Sequence, residues 1–321
     1  MTQPLPERVL IWDRVDENRR STIVFFVLFA LLVAGFFAAV SVFIALYAGV
    51  AEDDLLPVAI RIAIAALLVA TALGAIMYFA ASAAVLSVGG AHEVTKEEEP
   101  ELYRVVENLC IGAGLPMPRV HVVEDSAPNA FATGRDPATA HVAVTRGLLT
   151  KLDKRELEGV IAHELSHIGN YDVRLMTLVA VAVGLIVMVT DVMLRFTWYG
   201  AGARSGNRGK GGGAAGAIIL VVALLFIVLA PVLAGLLRMA LSRQREYLAD
   251  ASGALLCRNP EALADALEKI AADPEPLETA NKGTAHMYIY NPLRDHQSFL
   301  NNLFSTHPPI EERVRLLRAM A

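Results

Sequence analysis

His163, Glu164 and His167 stand as H-E-x-x-H in the run HELSH. Residues four apart share a helix face, so the two imidazoles project side by side. That spacing lets two neutral rings hold one zinc ion at about 2.0–2.1 Å. Glu164 sits next to the first ligand, placed to take a proton from water activated at the metal. The same five residues also arise by chance, as two exposed histidines and an incidental glutamate. A third ligand on another helix would separate the readings. Arg243–Asp250 reads RQREYLAD and places Glu246 and Asp250 on one face. Glu246 would complete the His2Glu set of open catalytic zinc sites, and Asp250 would accept the other N–H of a ligand histidine. Taken alone, this segment reads more simply as a surface helix whose arginines and acids pair with each other; the two segments together reverse that preference.

The elements that must position these groups are legible around them. Asp153 followed by Glu156 has the form of a capping box at a helix start. Leu157, Val160, Ile161, Leu165 and Ile168 recur at three and four, predicting one buried stripe. Upstream, Lys96–Glu99 and then Pro100 mark a helix start, and Glu101–Gly112 carries Leu102, Val105, Val106 and Leu109 at helical spacing. Short runs at Arg119–Val123, Asn129–Thr133 and His141–Thr145, broken by Asp125–Pro128 and Gly134–Pro137, predict a small antiparallel sheet. Downstream, Arg238–Ala321 reads as helices with loops around Pro274–Pro276, Asn291–Pro292 and Pro308–Pro309.

The 321 residues are 55% hydrophobic and only 19% charged. This aliphatic excess comes in blocks, which indicates a bilayer rather than an oversized core. Four stretches reach the roughly 20 apolar residues a spanning helix needs: Ile23–Val50, Pro57–Val88, Thr177–Trp198 and Ala217–Leu237. The first is too long for a cleaved signal, whose apolar region is about 7–15 residues, and reads as a retained anchor. A glycine-rich basic loop, Gly200–Gly216, separates the last two. Arg14, Arg19, Arg20, Lys96, Arg174, Arg238, Arg243 and Arg245 flank membrane ends that an even number of crossings puts on one side, the cytoplasm. Arg204, Arg208 and Lys210 dissent, so the third and fourth stretches either cross fully or form a hairpin that does not. Arg243 and Arg245 read as interfacial anchors that could also form salt bridges within the fold. A net charge of −5 gives no case for nucleic acid, and Cys110 and Cys257 form neither a metal pair nor a disulfide framework. His92, His121, His141, His286 and His296 have no ligand spacing.

HELSH, SRQREYLAD, NAFATG (129–134) and FSTHPPIEERV (304–314) together resemble the HtpX family. These are bacterial membrane proteases of the gluzincin group, akin to the CAAX prenyl protease. The resemblance runs over nearly the whole chain. It implies one zinc on His163, His167 and Glu246, Glu164 as general base and Asp250 behind the ligands. It also implies a substrate-binding edge strand at Asn129, Ala130, Phe131 and Ala132, where an extended substrate backbone would pair beside the metal. Asn129 could bond either substrate or strand, and His307 is a candidate to stabilise the oxyanion.

The expected architecture is an α-rich integral membrane protein: about four transmembrane helices and a mainly helical, zincin-like catalytic domain with a small antiparallel sheet. A membrane hairpin over 1–88 would precede the first catalytic part, 89–174. A second hairpin, 175–237, would separate it from the remaining part, 238–321. The expected function is zinc-dependent endopeptidase action in a bacterial inner membrane, facing the cytoplasm, with membrane proteins as substrates. The resemblance implies quality control of damaged membrane proteins under stress. Two alternatives are a narrow processing protease of the prenyl-protease type and a non-catalytic zinc-containing adaptor. An ion-transport function would call for ionisable groups deep in the spans, and only Asp191 and Arg195 interrupt them.

Overall fold

The structure, a computed structural model, describes residues 52–181, 243–279, 284–292 and 308–321, with single positions between 20 and 38. The third apolar stretch beyond residue 181, the fourth, most of the first, the loop 200–216 and His307 lie outside the described residues. The chain divides into two compact units. One includes Ile23–Phe79, and the other is assembled from Ala80–Val181 and Arg238–Ala321.

Helix α1 (Glu52–Val88) is divided between them, its residues up to Phe79 counting with the first unit and the rest with the second; its first part carries one candidate span, Asp54–Ile76, of 23 residues. Its mean hydropathy is 2.3, and most of its described residues are exposed. An apolar helix exposed along most of its described length is what a lipid-facing segment presents.

The second unit is helix-rich around a four-stranded sheet. Its strands are β1 (Ala91–Glu93), β2 (Arg119–Val123), β3 (Ala130–Thr133) and β4 (His141–Thr145), in the order β1-β2-β4-β3. The helices are α2 (Pro100–Ala113), α3 (Arg146–Lys151), α4 (Lys154–Gly169), α5 (Arg243–Cys257), α6 (Pro260–Ala272) and α7 (Ile310–Arg318). A further helical segment covers 172–181.

The sheet is mixed rather than antiparallel. β4 pairs antiparallel with β3 but parallel with β2, Val120 facing Val142 and Val122 facing Val144. The reason is non-local: the chain leaving β2 passes β4's place, runs β3 along the outer edge and returns into the gap. The connection is pinned where Asp125 accepts from the Ala127 amide through its carboxylate and from the Gly147 amide through its carbonyl, both at 2.9 Å. Alternation then gives the sheet two apolar faces. Val120, Val122, Ala130, Ala132, Val142 and Val144 meet the helices. Val123, Phe131 and Ala143 meet Val85, Leu86, Leu277, Met287 and Tyr288.

Helix α4 begins with the predicted capping box. The Asp153 carboxylate accepts from the Arg155 and Glu156 amides, and Glu156 accepts from the Asp153 amide at 2.8 Å. The expected single buried stripe is exceeded. Nearly every residue from Glu156 to Ile168 is buried, His163, Glu164 and His167 included. The sheet and α2 cover one side of this helix, while α5 and α6 cover the other, so polar as well as apolar positions leave solvent. Each wholly buried leucine or isoleucine, such as Ile161 and Leu165, contributes about 1.5–3 kcal/mol. Two glycines let the neighbouring helices come this close. A Cβ on Gly159 would lie 2.8 Å from the Leu263 amide of α6, and one on Gly253 of α5 would lie 2.9 Å from the His163 amide.

The start of the third apolar stretch also differs from expectation. Thr177, Leu178, Val179 and Ala180 are buried within the second unit. Their apolar character serves this core.

Candidate metal centre

His163, His167 and Glu246 converge. The two histidine Nε2 atoms lie 3.2 Å apart. Glu246 places one carboxylate oxygen 3.8 Å from His163 Nε2 and the other 3.6 Å from His167 Nε2. Helix α4 supplies the two imidazoles one turn apart, and α5, seated against it through Gly253, brings Glu246 across from them.

The far side of each ring fixes what the near side can do. His163 Nδ1 is 2.9 Å from Asp250 Oδ1, and His167 Nδ1 is 3.1 Å from Asp172 Oδ2. A carboxylate at Nδ1 keeps a proton there, so in the neutral ring the Nε2 lone pair faces the centre. Two lone pairs and a carboxylate converging in a buried space repel one another unless a cation lies among them. The donor set of two imidazoles and one carboxylate, each imidazole backed by an acid, fits a divalent ion and suits zinc.

Charge leads to the same conclusion. Among the described residues, Glu164, Asp172, Glu246 and Asp250 are buried here and the buried cations facing them are Arg245 and Arg313, so carboxylates outnumber guanidiniums, an excess that a divalent ion would offset. Without it, protons are retained instead. Burial pushes the Glu164 carboxyl up to about 7, with the nearby Glu246 adding to this, while His167, Arg313 and the Ala132 amide pull it back. Burial alone would depress His167, but Asp172, Glu246 and Glu164 outweigh it and raise the ring to about 9. His163 goes the other way: burial holds it below the usual histidine range despite the Asp250 contact. Arg313 holds Asp250 down to about 2 against the effect of burial.

Glu164, only 2% exposed, follows His163 on α4 and accepts from the backbone amide of Ala132 on β3. A buried carboxyl with a pKa near neutrality can take a proton and give it up again at physiological pH.

β3 is an edge strand, as the family resemblance implied. Part of that edge is engaged: the Ile289 amide donates to Ala130 O at 3.0 Å, and Phe131 bridges antiparallel to Tyr288. The Phe131 side chain is core, its ring edge-on to Tyr288 at 5.0 Å. Asn129 serves the strand at both ends of its amide, accepting from the Ala130 amide and donating to Tyr290 O. Ala132 is the edge position nearest the base.

Two participants, Asp172 and Arg313, had no functional reading from sequence, and a third, Arg245, was read first as an interfacial anchor. Asp172 lies two residues past the C-cap of α4, where Tyr171 takes φ 61 to turn the chain back. Arg313, on α7, is fully buried and grips Asp250 with two nitrogens, at 2.7 and 2.8 Å. Arg245, expected at the membrane surface, is buried 3.8 Å from Asp172, whereas Arg243 is exposed. One signal could have found Arg313: it falls in the helical stripe of Ile310, Val314 and Leu317, where a cation needs a buried partner. Of the histidines set aside, His286 is buried with Nε2 3.1 Å from Met176 O, and His121 and His141 stack at 5.1 Å on the sheet.

Comparison with known proteins agrees with this chemistry. Residues 96–321 match the model of peptidase family M48. The chain is 46% identical over 311 residues to a protein named Protease HtpX homolog from Dictyoglomus turgidum, covering 96% of this chain and 94% of that one. It is 41% identical over 310 residues to the like-named protein of Caldanaerobacter subterraneus, covering 97% and 98%. A crystal structure of S. mikatae Ste24p overlaps 78% of this chain at 19% identity and a TM-score of 0.43. The overlap takes in 57% of that longer chain, about half its length.

Proposed function

This chain belongs to peptidase family M48, and from that premise we propose that it is a zinc-dependent endopeptidase held in a cell membrane. The observation carrying this reading is the convergence of His163 Nε2, His167 Nε2 and Glu246 beside a buried Glu164.

An ion held by those three residues would supply Lewis acidity, polarising the scissile carbonyl and making water a competent nucleophile near neutral pH. The chain's own residues do the rest. Asp250 and Asp172 hold the imidazoles with Nε2 inward. Glu164 takes the proton of the attacking water and delivers it to the leaving amine. The Ala132 amide steers that carboxylate and ties the base to the edge strand. A substrate backbone lying extended along β3 from Ala132 onward would present its scissile bond between base and metal.

The apolar span Asp54–Ile76 supports a location in a bilayer. The arginine and lysine distribution favours a bacterial inner membrane with the catalytic unit towards the cytoplasm. Misfolded or damaged membrane proteins are the proposed substrates, since membership of a family of membrane proteases is joined here to a catalytic unit in the same chain as the span.

The test compares wild type with Glu164→Gln, full length and in detergent, for zinc content and cleavage of an unfolded reporter protein. One zinc per chain is expected in both, with chelator-sensitive cleavage in wild type alone. Cleavage retained by the variant would remove Glu164 as the base.

A further inference from the structure

Arg313 touches both of the things the site must align. Its guanidinium donates twice to Asp250, from Nε at 2.8 Å and Nη2 at 2.7 Å. The third nitrogen, Nη1, lies 3.5 Å from Glu246 Oε2 and donates to the Ile289 carbonyl at 3.0 Å. The amide of that same Ile289 donates to Ala130 O on the edge strand. The fork geometry of arginine is what permits this: two parallel bonds hold one carboxylate while the remaining nitrogen points elsewhere. A lysine could satisfy one of these partners, but not all of them.

We infer that Arg313 is a positioning residue that couples the metal ligands to the substrate edge. Through Asp250 it sets the orientation of His163, and beside Glu246 it steadies the third ligand. Through Ile289 it presses the 288–290 segment against the first half of β3. Docking of α7, which contributes Arg313, is then part of assembling the metal centre rather than a peripheral packing event. The segment it holds also marks where a bound substrate strand must stop, because Ala130 O is already paired and Ala132 is not occupied by that segment. This role rests on the metal-centre reading of His163, His167 and Glu246.

The test uses Co2+ as the probe on the full-length, metal-stripped chain in detergent. Arg313→Lys keeps the charge and removes the fork. Affinity measured by chelator competition should fall at least about tenfold, the usual scale for losing support behind a metal ligand, and the visible absorption bands of bound Co2+ should shift. Adding Asp250→Asn to Arg313→Lys should cost little more, because both changes cut one link. Wild-type affinity and spectrum in Arg313→Lys, or fully additive losses, would overturn the role. Should the variants not fold, hydrogen exchange on the wild type decides the matter. The Ile289 amide should exchange several-fold faster when Co2+ is removed, and unchanged exchange would refute the coupling. If wild type itself binds no Co2+, the metal-centre reading fails, and that result is distinct from a variant that binds normally.

Discussion

His163 and His167 are one turn apart on one helix, yet their supports are built in opposite ways. His167 leans on Asp172, five residues ahead in the same chain, delivered by the turn at Tyr171. His163 leans on Asp250, eighty-odd residues away on α5, itself gripped by Arg313 from α7. One half of the centre is local and forms when α4 and its C-terminal turn form. The other half exists only once two later helices have docked. Arrangements of this second kind concentrate buried charge: Asp250 and Arg313 are both almost inaccessible to water, so each depends on the other.

The contrast can be broken most sharply by removing the two aspartates in turn. Asp250→Ala takes away the two-bond partner of the buried Arg313 guanidinium, leaving it the looser 3.5 Å approach of Glu246, and breaking a buried pair costs about 3–5 kcal/mol. Asp172→Ala leaves behind Arg245, whose 3.8 Å approach is a looser pairing. Both variants should lose about 10–100-fold in metal affinity, since both free an imidazole. Only Asp250→Ala should also melt substantially lower with the metal stripped. Equal melting temperatures for the two would show that the distinction between local and long-range support carries no energy.

A second difference appears in protonation once a chelator has removed the metal. His167 is raised from 6.5 to about 9, so its contribution to stability is fully present below about pH 6.5 and lost as the pH rises through 9. His163 is lowered, so its effect runs the other way, with stability lost on acidification below the usual histidine range. The metal-free protein should therefore lose about 3 kcal/mol from the His167 linkage on going from mildly acid to alkaline conditions. Chemical denaturation across that range, comparing wild type with His167→Asn, measures it. A slope that persists undiminished in the variant would place the titrating group elsewhere.

How much of this could be read in advance follows the same division. HELSH, the Asp153–Glu156 capping box, and the shared face of Glu246 and Asp250 were legible because three- and four-residue spacings on a helix are local rules. Strands β2 and β4 were found within their limits, but their parallel pairing was not. The order β1-β2-β4-β3 depends on where a later strand inserts, and alternation within a strand carries no information about that. Asp172 was missed because a non-glycine residue in a left-handed turn carries no sequence signature. Arg245 carried two readings, interfacial anchor and salt bridge within the fold, because an arginine next to an apolar stretch looks the same whether it faces headgroups or a buried aspartate. Leu178 and Val179 were counted with a membrane span for the same reason: apolar residues do not reveal which apolar medium will receive them.

The smallest expected effect tests how the long-range half is seated. Gly253 and Gly169 flank the two halves, and replacing either with alanine would gain up to about 1 kcal/mol if helix propensity alone mattered. At Gly169 the new Cβ meets only the Leu115 side chain at 3.6 Å, an ordinary contact, so Gly169→Ala should be neutral or slightly stabilising. At Gly253 it meets the His163 backbone, with the amide nitrogen at 2.9 Å and Cα at 3.0 Å, and backbone cannot rotate away. α5 must then retreat from α4, at an overpacking cost of about 1–3 kcal/mol. Glu246 lies two turns before Gly253 on the same helix, so it would retreat with it, while His167 and Asp172 stay in place. Thermal melts and Co2+ affinity for the two variants provide the comparison. Gly253→Ala should weaken metal binding although no ligand or charged group has changed. If it binds Co2+ as tightly as Gly169→Ala does, the close contact of α5 at His163 is a packing convenience, and the two halves of the centre are less interdependent than their geometry implies.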